Sequence, residues 1–268
     1  MGALAYNPDV AIARAKYQQR VIDARTSLQN FIEFAGRSEE GAGIELDHIH
    51  KMWCHHLTYC WSRGLHAGIL APFGSGKSST LAVPLSCYLI GRNPQIRIKL
   101  VANHDDYAKR RVGAAKAIME TVEYQQVFPH IVPGEKWTDH ELEVARMRGP
   151  IDPTLHARGV LTAGVGTRAD VEIFDDVCDQ LNSEEPGSRR KVKEFVRRTW
   201  LSRLDQKAGR ALWIATPWDP DDATYDLMHD QKWAFLVQRV AKSHTEYDQE
   251  VFNVGDDYTV GLEAILKR

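Results

Sequence analysis

The stretch His66 to Thr80, HAGILAPFGSGKSST, is a short apolar run that breaks into a glycine-rich turn and then presents a lysine and two serines. Ile69, Leu70 and Ala71 read as the end of a buried strand, and Gly74 and Gly76 give the backbone freedom that a tight turn needs. A loop of this kind wraps phosphates. Its backbone N–H groups converge on anionic oxygens at the start of the following helix, the lysine complements the β- and γ-phosphates, and the next hydroxyl ligates Mg²⁺. On this reading residues 71 to 79 (Ala71, Pro72, Phe73, Gly74, Ser75, Gly76, Lys77, Ser78 and Ser79) bind a nucleoside triphosphate, with Lys77 acting in catalysis and Ser78 holding the metal. The eight-residue template would place glycine where this chain has Ala71. SSTLAVPLSCYLI, Ser78 to Ile90, supplies the helix, with a kink expected at Pro84.

A second stretch completes the site. ADVEIFDDVCD, Ala169 to Asp179, is a strand of Val171, Ile173 and Phe174 that ends in two carboxylates. Alone it could be a strand closing in a solvated acidic turn. Beside a phosphate loop it supplies what phosphoryl transfer to water requires, one carboxylate for hydrated Mg²⁺ and one for the attacking water. Asp175 is placed for the metal and Asp176 for the water. A further buried strand, ALWIATPWDPDD, ends at Thr216, whose hydroxyl can sense the γ-phosphate or that water. An NKxD signature is absent, so nothing supports a guanine site.

Elsewhere the chain alternates helices and strands. Residues 9 to 34 carry helical spacing, with Val10, Ala13, Tyr17, Val21 and Ile22, then Leu28, Phe31 and Ile32, near one stripe, and Gly36 to Gly43 is a glycine-rich linker. The segment ELDHIHKMWCHHLTYCWSRG is a helix whose His48, His50, Cys54, His55, His56 and Cys60 scatter around the cylinder, which argues against a zinc site. QIRIKLVAN is a strand, followed by an amphipathic helix on which Lys109, Arg110 and Arg111 read as a solvated face. Residues 122 to 168 hold two short strands, ELEVARMRG and HARGVLTAG, as an antiparallel insertion. Pro186 to Arg210 reads as one helix. Val192, Phe195, Val196, Trp200 and Leu204 lie inside; Arg189, Arg190, Lys191, Lys193, Arg197, Arg198 and Arg203 lie outside, suiting either a solvated face or a polyanion contact. WAFLVQRVA is the last strand. Such alternation implies an α/β fold with a mostly parallel sheet and the phosphate loop at its C-terminal edge.

The net charge of −2 carries no global nucleic-acid signature, so DNA contacts must come from local patches. No run of eighteen apolar residues and no apolar signal core is present, which reads as an intracellular chain with no membrane partner. Cys54, Cys60, Cys87 and Cys178 make no C-x-x-C pair and fit reduced thiols.

Together, APFGSGKSS, VEIFDDVCD and ATPWDPDDATYDL resemble the ATPase domain of the large terminase subunit of tailed bacteriophages, over about His48 to Leu227. The resemblance implies a RecA-like (ASCE) P-loop NTPase with an added strand between the two Walker strands. It makes Lys77 and Ser78 Walker A residues, Asp175 the Walker B metal carboxylate, Asp176 the catalytic acid, and Ala215 and Thr216 the coupling motif. It implies ATP and Mg²⁺ as cofactors, and hydrolysis that drives double-stranded DNA into a procapsid in the host cytoplasm. The partners would be copies of the chain in a ring, the portal protein and the small terminase subunit. A helicase-like ATPase and a non-hydrolysing nucleotide-gated module are the rivals.

Three departures from the family pattern matter. Phe73 stands where many relatives carry an arginine, and Asp176 is shorter than the more common glutamate. Family members also carry a nuclease domain, whereas the chain stops at Arg268, so no nuclease activity is expected. The missing arginine is expected in trans. Arg168, eight residues before Asp176, is the candidate, with Arg158 as the alternative. The expected division is an N-terminal helical arm and linker at 1–43, the ATPase domain at 44–245, and a tail at 246–268.

Overall fold

In the computed structural model, which describes residues 7–38, 40–146, 152–162 and 166–238, the chain opens with two helices, α1 (Pro8–Thr26) and α2 (Leu28–Ala35). The helical span over 9 to 34 is two helices because Ser27 leaves the helical region and its side chain accepts from the Asn30 N–H, starting α2 afresh. The stripe expected on α1 is mostly solvated: Val10, Tyr17 and Ile22 are exposed, whereas Val21 is buried. In α2, Phe31 and Ile32 are fully buried and join the main core.

Next come α3 (His48–Ser62), β1 (His66–Leu70), a π-helical turn over Ser78–Ala82, and α4 (Val83–Arg92). Pro84 brings no N–H, and the change from π to α pairing falls where that donor is missing; Val83 N–H reaches back to Ser78 O. β2 (Ile98–Ala102) leads to α5 (Asp105–Met119) and α6 (Val122–Val127), two helices where one was expected, because Thr121 caps the second through the Tyr124 N–H. The insertion is β3 (Pro133–Trp137), β4 (Glu141–Val144) and β5 (Leu155–Gly159). β4 pairs antiparallel with both its neighbours, as expected for 141–144 against 155–159. β3 escaped the sequence reading because it is a largely exposed edge strand without apolar alternation.

β6 (Val171–Asp175) is followed by α7 (Gln180–Glu184), α8 (Pro186–Glu194), a π-helical segment over Phe195–Trp200 and a 3₁₀ turn over Leu201–Arg203. The helical path therefore stops at Arg203, short of the expected Arg210. β7 (Arg210–Ala215), α9 (Ala223–Met228) and β8 (Trp233–Val237) complete the described fold. The sequence tail 246–268 and the ends of the expected strands at 147–149, 163–164 and 239–241 lie outside the described residues.

The eight strands form one open sheet in the order β3-β4-β5-β2-β6-β7-β1-β8, parallel from β5 to β8. β7 lies between β1 and β6, the position expected for an added strand between the phosphate-loop and acidic strands. Helices cover both faces. Ile69, Leu100, Ile173 and Ile214 point into the core shared with α2 to α5, and Val101, Phe174 and Trp213 into the core under α8 and Trp200. Burial on both sides explains why the central strands read as continuous apolar runs. Two charged exceptions, Lys99 on β2 and Glu172 on β6, face each other at 3.9 Å, and burial pushes the glutamate up to about 8.

Candidate active site

β1, β7 and β6 end side by side, so the loops that follow them converge at the C-terminal edge of the sheet, where open α/β sheets bind ligands. Gly74 and Gly76 both take φ +77°, the left-handed region that glycine enters without penalty, and the loop turns there into the π-helical start of α4. Phe73, at the crown of the loop, is 89% exposed.

Lys77 is buried, and its Nζ donates to Ala71 O at 3.0 Å, Pro72 O at 2.9 Å and Thr216 Oγ1 at 2.9 Å. Burial lowers its pKa, against the opposing pull of Asp176 and Asp175. Ser78 Oγ donates to Asp175 Oδ1 at 2.7 Å, which places the two expected metal ligands in contact. A hydroxyl and a carboxylate fit Mg²⁺, which takes oxygen ligands, usually one or two carboxylates, and keeps phosphates and waters for the rest of its shell.

Asp176 takes φ 46°, the one left-handed non-glycine among the described residues. Such a conformation costs about 1–3 kcal/mol and persists where the surroundings hold it. Here Asp176 N–H donates to Ile214 O at 2.9 Å and the Asp176 Oδ1 accepts from Thr216 N–H at 3.0 Å. Burial raises its pKa above the ordinary aspartate value, with Lys77 pulling the other way and Asp175 adding to the rise. Thr216 thus touches Lys77 with its hydroxyl and Asp176 with its amide. Ala215 O accepts from Ala71 N–H at 3.1 Å, binding the start of the phosphate loop to β7.

Arg168 lies apart from this cluster, at the opposite end of β6. It is exposed and lines a cavity of about 790 Å³ with Arg203, Asp205 and Lys207. Arg158 sits near the C-terminal end of β5, with Nη2 3.6 Å from Glu141 Oε1.

Two residues at the site went unread in the sequence. Arg111, expected on a solvated face, turns inward and donates from Nε to Asp175 Oδ2 at 2.7 Å. The signal was present: Ala108, Val112 and Ala115 are buried on α5, and Arg111 falls on their helical stripe. Lys109 and Arg110 do face outward, onto Asp106 and the Tyr107 ring. His50 is the other. Its Nδ1 accepts from Asp47 N–H, so its Nε2–H donates to Ser75 O at 3.1 Å and tethers α3 to the phosphate loop.

The basic helix is less unbalanced than its own sequence suggests. Arg189 and Lys193 pair with Asp219 or Asp221 and Arg197 with Asp226, from the loop after β7 and the helix α9. Arg190, Lys191 and Arg198 are exposed.

The likeness to solved structures follows this geometry. The large terminase of bacteriophage HK97 superposes with a TM-score of 0.60 at 11% identity, over 90% of this chain and 51% of that one. A point mutant of the large terminase ATPase domain of Thermus phage P74-26 superposes at 0.52 and 15% identity, over 81% and 88%. This chain has the RecA-like fold of a large-terminase ATPase domain. It spans about half the length of the HK97 large terminase. No protein-family profile and no curated protein matches the sequence. Among the described residues, no helix is long and apolar enough to cross a membrane.

Proposed function

We propose that this chain is the ATPase part of a large terminase subunit, a Mg²⁺-dependent ATP phosphohydrolase that drives double-stranded viral DNA into a procapsid. One observation carries the reading: Lys77, Ser78, Asp175, Asp176 and Thr216 meet at the ends of three adjacent parallel strands, linked by hydrogen bonds of 2.7 to 3.0 Å. Ser78 and Asp175 would hold Mg²⁺, whose charge would offset that developing on the transferred phosphoryl group. The loop amides and Lys77 hold the phosphates, and the lysine is already poised where a loop carbonyl is its alternative partner. Asp176 orients the attacking water and accepts its proton, a role that suits a carboxylate whose basicity burial has raised. Thr216 links the two, so a change at either is felt at the loop that follows β7.

The rest of the reading comes with this one. Residues 1–43 serve as an arm, 44–245 as the motor domain and 246–268 as a tail. Copies assemble in a ring on the portal protein, with the small subunit, in the host cytoplasm. Phosphate release measured with and without double-stranded DNA tests the core of it. Release that rises with DNA is expected; ATP binding without release would favour a nucleotide-gated module instead.

A further inference from the structure

Asp175 and Ser78 are the two side chains assigned to Mg²⁺, and one guanidinium engages both. Arg111 donates from Nε to Asp175 Oδ2 at 2.7 Å and from Nη2 to Ser78 Oγ at 3.0 Å. The serine hydrogen is spent on Asp175 Oδ1. The Asp175 side chain is 1% exposed, and an anion buried so deeply needs a cation beside it. Packing fixes which cation that is, because Ala108, Val112 and Ala115 anchor α5 with Arg111 on the inner stripe.

A metal needs oxygen lone pairs, and the guanidinium takes one on Ser78 Oγ and one on Asp175 Oδ2, while the serine hydrogen occupies Asp175 Oδ1. Two cations cannot share them without strong repulsion across a water-poor site. We infer that Arg111 is a placeholder cation, which competes with Mg²⁺ for the Asp175–Ser78 pair and sets the metal concentration at which nucleotide binds. Arg111 is thus a positioning residue acting through the metal ligands. The inference rests on the phosphate-loop reading above.

The test is a Mn²⁺ titration of the purified chain by electron paramagnetic resonance, beside binding of a fluorescent ATP analogue over a range of Mg²⁺ concentrations. Arg111→Gln removes the charge and keeps much of the volume; Arg111→Ala replaces it should circular dichroism find the first unfolded. The expected result is Mn²⁺ affinity higher by about fivefold or more, the factor by which a metal-competent fraction below roughly one fifth depresses apparent affinity. The half-saturating Mg²⁺ for the analogue falls in step. Unchanged or weaker metal binding in a folded variant overturns the placeholder. The parent chain separates the two failures: if it binds no analogue at any Mg²⁺ concentration, the phosphate-loop reading is wrong, whereas normal parental binding with an unmoved metal dependence in the variants sinks the placeholder alone.

Discussion

Lys77 and Asp176 carry opposite charges into a poorly hydrated corner, and burial disfavours the charged form of each. Their removal separates binding from chemistry. Lys77→Ala loses a charge-assisted contact to phosphate, and a nucleotide titration should find affinity down by roughly 10- to 100-fold, the equivalent of about 1.5–3 kcal/mol. Unchanged affinity would end the phosphate-loop assignment. Asp176→Asn is nearly isosteric and keeps an oxygen for the Thr216 N–H, so binding survives while turnover falls by about 10²- to 10⁴-fold with the loss of the proton acceptor. The same variant makes a stability prediction whose sign follows from the raised pKa. A carboxylate held above its unfolded value contributes least once it is ionised, so its cost is absent below the ordinary aspartate pKa and present above the raised one. Asp176→Asn should therefore melt higher than the parent at neutral pH, with the advantage shrinking as pH falls through that window. An advantage that grows toward acid would refute the desolvation argument.

At the scale of elements, the loop after β7 and the helix α9 are tied by charge to α8 and the π-helical segment that follows it: Asp221 meets both Arg189 and Lys193, and Asp226 meets Lys193 and Arg197. This is the path by which Thr216, at the head of that loop, can reach the exposed Arg190, Lys191 and Arg198. If those three contact DNA phosphates, replacing them with alanine should weaken binding alike on all sequences. It should also flatten the log–log salt dependence by about 0.9 per lost contact. Equal slopes for parent and triple variant would return the helical path 186–200 to an ordinary solvated face. The helix also marks the limit of what sequence could convey. Its inner stripe of Val192, Val196 and Trp200 was legible from 3.6-residue spacing, because core burial is a local pattern. Its neutralisation by Asp219, Asp221 and Asp226 was not, because those partners lie more than twenty residues away and only the fold brings them near. The same division runs through the site. The phosphate loop and the paired aspartates are each contiguous in sequence and readable, whereas Arg111 and His50 reach the site from helices that only the fold brings beside it. β3 was missed for the opposite reason, since an exposed edge strand leaves no apolar period to find.

The whole molecule places Arg168 where it cannot serve its own nucleotide. β6 alone spans roughly 16 Å at about 3.3 Å per residue, with Arg168 before its first residue and Asp175 at its last. Arg168 is exposed, and among the described residues its guanidinium has no hydrogen-bond partner; only its backbone N–H is engaged, with Asp152 Oδ2 at 3.2 Å. Phe73 leaves the phosphate loop without an arginine, and the charge that builds in phosphoryl transfer is seldom met by one lysine and Mg²⁺. An arginine supplied by a neighbour can be worth about 10³- to 10⁵-fold in rate. In a ring, the face bearing Arg168 and Arg203 can meet the nucleotide edge of the next copy, which Arg158, ion-paired with Glu141, is less free to do. Specific ATPase activity should then rise with protein concentration, and Arg168→Ala should bind ATP normally while hydrolysing it poorly. The decisive measurement is complementation. Mixing Arg168→Ala with Asp176→Asn, each inactive alone, should restore part of the turnover, because a subunit with an intact acid can take an intact arginine from its partner. If a demonstrably mixed assembly stays inactive, or an isolated monomer is fully active, Arg168 does not act across the interface.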